Sequence, residues 1–210
     1  MDKIFRKRRS SPRTFDRYEA IDTAMRLFWR HGYEGVSLND LVSAIGIAPP
    51  SLYAAFGSKA GLYREALDHY FGLPGALSDL PAAETLTETV ETLLRRAIDA
   101  VTDPSGEKGC MVSSGMLQSA SAHAELALEL AKRRSGMHDH IAEILARWLD
   151  HDRAVSLARY LLAVLQGLSV QARDGATKEE LGQVVDQAVA GIRAIEPLRG
   201  QLQKGDAVDS

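Results

Sequence analysis

His138, His140 and His151 lie among Asp139, Asp150 and Asp152. Such residues can hold a divalent metal, but His138 and His140 are two apart, and on a helix that spacing turns them to different faces. Solvated polar faces explain the group better, and no metal is expected. Serine, histidine and aspartate are all present. Yet the chain has no nucleophile elbow, phosphate-binding loop or dinucleotide fingerprint, so an enzyme is not the reading and no cofactor is expected. Cys110 is the only cysteine. That excludes an intrachain disulfide, argues against a cysteine zinc site and fits a reducing, cytoplasmic compartment. Nothing near it in sequence marks a low-pKa thiol, so it reads as packing.

The chemistry the residues do support is anion binding at the amino end. Seven of the first 17 residues are basic, against Asp2 and Asp16. Residues 1–72 carry 11 basic and 8 acidic groups, a net of +3; residues 73–210 carry 14 and 20, a net of −6. A basic arm leading an acidic protein points to a polyanion near the amino end. The 210 residues are 45% hydrophobic and 25% charged, an ordinary globular composition. No apolar run reaches bilayer length, and the basic start has no apolar stretch behind it of the signal-peptide kind.

The elements that must carry these residues are helical throughout. Tyr18, Ile21, Ala24, Met25 and Phe28 share one face of a helix over 15–31, closed by Gly32. Ser37 is a good N-cap for a second helix, whose Leu38, Leu41, Val42 and Ile45 follow the i, i+3, i+4, i+7 pattern. Gly46 ends it. A short third helix covers 49–56, and Ser58 caps a fourth over 59–71, stopped by Gly72 and Pro74. Residues 72–84, rich in glycine and proline, read as a linker. Five more helices are expected over 84–102, 109–120, 123–149, 152–174 and 177–197, about nine in all. The expected organisation is a flexible arm (1–14), an N-terminal unit (15–72), a helical block (73–200) and a loose tail (201–210).

Two short helices joined by a glycine turn behind a longer one make a helix-turn-helix. Leu52 and Phe56 are four apart and point inward, leaving Pro50, Ser51, Tyr53 and Ala54 on a face that a DNA major groove can receive. Pro49 and Pro50 sit in the first turn, where no intrahelical N–H is needed and φ is already suitable.

The stretch FWRHGYEGVSLNDLVSAIGIAPPSLYAAFGSKAGLYREAL resembles the DNA-binding signature of the tetracycline-repressor (TetR) family. Phe28, Gly32-Tyr33, Val36-Ser37-Leu38, Leu41, Gly46-Ile47, Leu52-Tyr53, Phe56, Ser58-Lys59 and Leu62 carry the match. Departures are Val42 and Ile45 where alanine is frequent, Ala48 in place of a hydroxyl cap, and Ala60-Gly61 in place of an acidic pair. The resemblance implies an all-α regulator in which Ser37, Tyr53 and Lys59 contact phosphates and Pro49, Pro50, Ser51 and Ala54 face base edges. Arg6, Arg8, Arg9 and Arg13 would enter the minor groove. Prolines and alanine touch thymine methyls but donate no hydrogen bonds, so direct readout is thin and DNA shape matters more.

The last two expected helices are apolar over a wide arc, which suggests burial on two sides. Leu161, Leu165, Leu168, Val185, Val189 and Ile192 are expected at a twofold interface of the four-helix kind the family uses, making the protein a homodimer on a palindromic operator. Relatives also hold a small-molecule effector beyond the linker. Met111, Met116, Gln118, Trp148, Tyr160 and Gln166 are the candidate contacts here. A constitutive DNA-binding regulator without ligand is the alternative.

Overall fold

The computed structural model describes residues 15–195 apart from 76, 79 and 118. Arg6, Arg8, Arg9, Arg13, Gln118 and the tail 201–210 therefore lie outside the described residues. Among those described, the regular structure is helical: α1 (Arg17–His31), α2 (Leu38–Ile45), α3 (Pro49–Phe56), α4 (Lys59–Gly72), α5 (Leu86–Thr102), α6 (Ala124–Leu145), α7 (His151–Arg173) and α8 (Lys178–Ile195), with a 3-10 turn at Ser121–His123.

Side-chain caps begin most of these helices. The Asp16 carboxylate accepts the N–H groups of Tyr18 and Glu19 at the head of α1. Ser37 and Asp40 form a reciprocal capping box on α2, which ends at Gly46 in the left-handed region, φ 76°. At α4 the Ser58 hydroxyl accepts the Gly61 N–H at 2.9 Å. A Cβ at Gly61 would stand 2.1 Å from the Phe56 carbonyl oxygen, so the tight α3–α4 turn favours glycine there.

Among the described residues, eight α-helices form where about nine were expected. The described residues of 109–120 make no helix; they form turns and bends. Gly109 has φ +78°, and a Cβ there would meet the Ser169 carbonyl oxygen at 2.7 Å, so the chain passes against α7 in a conformation no helix permits. Met116 also has positive φ, 49°.

Two hydrophobic clusters organise the chain. One unites α1–α4 through Phe28, Leu41, Leu52, Leu62 and Tyr63, and it is completed by Met111, Val112, Met116, Leu126 and Leu130 from beyond the linker. The other joins α5–α8 through Leu94, Ile98, Ile141, Leu161, Leu168 and Val185. The second corrects the interface assignment: Leu161, Leu165, Leu168, Val185, Val189 and Ile192 are all buried inside the chain's own core, none more than 7% exposed. α7 is also long and apolar enough by composition to cross a membrane, contrary to expectation, but here it packs as a core helix.

Candidate nucleic-acid interface and the cavity behind it

α3 packs by Leu52 and Phe56, both buried, while Pro49, Pro50, Ser51, Tyr53 and Ala54 are all exposed. Tyr53 leaves 48% of its surface to solvent. Ser37 stands at the head of α2. Its hydroxyl oxygen accepts the Asp40 N–H at 3.1 Å. Hydrogen bonds to the Asp40 carboxylate from the Ser37 side chain and from the Ser37 N–H, the latter at 2.8 Å, hold that carboxyl below the ordinary aspartate value. Lys59, at the head of α4, lies with Nζ 4.1 Å from the centre of the Tyr33 ring. Burial lowers its pKa, opposed by the negative charges of Glu34 and Asp40. The six described residues expected to face DNA on α3 and α4 are thus five exposed groups and one half-buried cation packed on an aromatic ring.

Behind this face, a cavity of about 810 Å³ opens between α1, α4, α5 and α6 and the turns at 73–78 and 103–113. Its apolar wall includes Trp29, Tyr70, Phe71, Met137 and Leu165, and Cys110 faces it too. Its cations already have partners: Arg26 binds Asp22 at 2.9 Å, and Arg133 binds Asp68 at 2.5 Å while lying over the Phe71 ring. Burial pushes the Tyr70 hydroxyl well above its ordinary pKa, so it is present as a neutral phenol.

The candidate ligand contacts lie elsewhere. Met111 and Met116 are buried in the α1–α4 cluster. Tyr160 is exposed, Trp148 packs on the α5–α8 cluster and Gln166 is half-buried; none of these five lines the cavity. The residues that do line it (Trp29, Tyr70 and Phe71 foremost) carry no local signal separating them from ordinary helix core. Cys110 was read as packing, and its place on the wall was likewise invisible in sequence. His138 is buried against the Asp139 carboxylate and the Val155 carbonyl, and no group of three His, Cys, Asp or Glu among the described residues is placed to hold a metal ion.

Direct bonds tie the cavity's turns to the α1–α4 unit. The Trp29 indole N–H donates to the Gly109 carbonyl at 3.1 Å, and the Arg173 guanidinium donates to the Trp29 carbonyl. Arg30 forms a two-pronged pair with Glu107 at 2.8 and 2.7 Å. Arg64 does the same with Glu129 at 2.7 and 2.6 Å, which keeps the Glu129 carboxyl below its usual range. Glu34 accepts from the His123 ring at 2.8 Å and from the Ala120 N–H.

A profile of the family described as "Bacterial regulatory proteins, tetR family" matches residues 20–66. The chain is 34% identical to the HTH-type transcriptional repressor ComR of Escherichia coli, across 85% of this chain and 90% of that one. It is 33% identical to the HTH-type transcriptional repressor BdcR of the same organism, across 88% and 92%. Among solved structures it is similar to the TetR family transcriptional regulator CifR, in a cysteine-mutant form complexed with 26bp double-strand operator DNA. The identity there is 38% and the TM-score 0.79, over 86% of this chain and 98% of that one.

Proposed function

The chain belongs to the tetR family of bacterial regulatory proteins and is a DNA-binding transcriptional regulator; from that premise we propose that it is a homodimeric repressor released from its operator by a small molecule held in the 810 Å³ cavity. The observation that carries this reading is the cavity's position. Its wall includes Met25, Arg26 and Trp29 of α1 and Tyr70 and Phe71 of α4, the two helices against which α2 and α3 are mounted. A ligand that displaces these walls shifts α3, and the binding energies at the two sites become coupled. The volume falls within the range of ordinary small-molecule sites, which favours a ligand-gated regulator over a constitutive one.

On DNA, Tyr53, Lys59 and Ser37 hold phosphates, Pro49, Pro50, Ser51 and Ala54 meet base edges, and Arg6, Arg8, Arg9 and Arg13 follow the minor groove. Two α3 helices one helical turn apart require a twofold partner. With the six core residues of α7 and α8 excluded, the remaining stripe is Tyr160, Ala163 and Val170 on α7 with Gln187, Ala190 and Ala194 on α8, all exposed. Ala163, Ala190 and Ala194 let two such helix pairs approach, exposed Tyr160 and Val170 supply apolar surface to bury, and the dimer is proposed there. The protein works in the cytoplasm, where its operator is.

Gly136 tests the effector site. It lines the cavity, and a Cβ added there meets nothing within 4 Å. In Gly136→Phe the ring occupies cavity space without disturbing α6. Operator affinity should stay within about threefold of the parent, while compounds that release the parent should need at least about tenfold higher concentration. Unchanged release would place the effector elsewhere.

A further inference from the structure

We infer that α3 reads its operator through the 5-methyl groups of thymine, and that Pro49, Pro50 and Ala54 form the reading surface; this rests on the proposal that α3 is the recognition helix. The leading end of a helix normally presents free N–H groups, which proteins use to hold phosphates. α3 presents none in its first turn. Pro49 and Pro50 have no N–H at all. The Ser51 and Leu52 N–H groups both turn back to the Ala48 carbonyl, at 2.9 and 3.3 Å. Ala48 supplies no side-chain cap.

The side chains repeat the pattern. PPSLYAAF contains no Lys, Arg, Asn, Gln, His, Asp or Glu. Its outward polar atoms are the hydroxyls of Ser51 and Tyr53, and a hydroxyl donates or accepts with little discrimination. Guanine is recognised through donors to O6 and N7, adenine through a paired donor and acceptor, and cytosine through an acceptor for its amino group. A surface of ring CH₂ groups and one methyl can do none of these. What it can distinguish is the thymine 5-methyl, the single apolar mark in the major groove. 5-Methylcytosine carries the same mark, so at a contacted position it should substitute for thymine better than cytosine does.

The test uses the full-length protein and an operator selected from a random-sequence duplex pool. Deoxyuridine replaces thymidine at one position at a time, which removes only the methyl. At two or more thymines per half-site, affinity should fall about fourfold each, the factor expected for exposing one buried carbon group. Placing 5-methylcytosine at those positions should restore most of the affinity that plain cytosine loses. In Ala54→Gly or Pro50→Ala the deoxyuridine effect at one thymine should shrink towards onefold. The inference is overturned if every deoxyuridine substitution is neutral, or if both variants keep the full deoxyuridine effects. Failure to select any sequence would overturn the operator reading beneath it, and would be distinguishable from a specific operator that ignores its methyls.

Discussion

Replacing Trp29 with phenylalanine keeps an aromatic ring at the junction of the α1–α4 unit and the cavity but removes the indole N–H. Trp29 is 8% exposed, its ring stands edge-on to Tyr70 at 4.9 Å, and its N–H meets the Gly109 carbonyl at 3.1 Å. Gly109 is itself committed: its N–H donates to the Val101 carbonyl, and its Cα leaves no room for a side chain against α7. The carbonyl cannot readily swing to another donor. Losing a buried partner costs about 2 kcal/mol, which in a chain of this length lowers the melting temperature by about 4–8 °C. The loosening should be local. Amide exchange over residues 103–115 should accelerate more than exchange in α7 or α8, because these turns lose their anchor on α1. The assay is thermal unfolding paired with hydrogen exchange of the free protein. A melting temperature within about 1 °C of the parent, with unchanged exchange in these turns, would refute the argument that Trp29 latches the two units.

Other consequences follow from the same contacts. Lys59→Gln should weaken binding across all DNA sequences and reduce the slope of log affinity against log salt by about one, measured by titrations at several salt concentrations; an unchanged slope would remove Lys59 from the phosphate contacts. Met111→Ala, far from α3 in sequence but 2% exposed in its core, should destabilise the protein by about 2–5 kcal/mol in urea unfolding; a loss under about 0.5 would contradict its place in that cluster. Glu34 is held below its usual value of 4.5, chiefly by the His123 ring, so its stabilising contribution is present above that value and lost as pH falls below it. Parent and Glu34→Gln should accordingly differ in stability at neutral pH, and the difference should shrink as pH falls below 4.5 in denaturant titrations; a constant difference would exclude the link.

The α1–α4 unit was legible because its signals are local. Ser37 with Asp40, Ser58, Gly32 and Gly46 mark helix ends within a few residues of themselves, and the Leu52/Phe56 spacing fixes which face of α3 turns inward. The turns at 109–120 were not legible. Their apolar residues sit at spacings a helix also satisfies, and what keeps the chain out of a helix there is the left-handed backbone of Gly109, φ +78°, held close against the distant Ser169 carbonyl. The interface residues on α7 and α8 failed for another reason. Periodicity identifies the most apolar stripe, and in a chain with its own four-helix core that stripe is spent inside; the open stripe mixes alanines with Tyr160, Val170 and Gln187 and scores weakly. The cavity wall is drawn from α1, α4, α5, α6, Leu165 of α7 and two separate turns, a grouping that exists only after folding.

The most direct test of the central claim is selection from a random duplex pool with full-length protein, repeated with Tyr53→Ala. The account predicts enrichment of a twofold-symmetric sequence, bound at least about 10³-fold more tightly than random DNA at physiological salt, and a variant that selects the same sequence but binds it and random DNA more weakly by similar factors. No enriched sequence, or an operator affinity unchanged by Tyr53→Ala, would contradict the assignment of α3 as the DNA-reading surface.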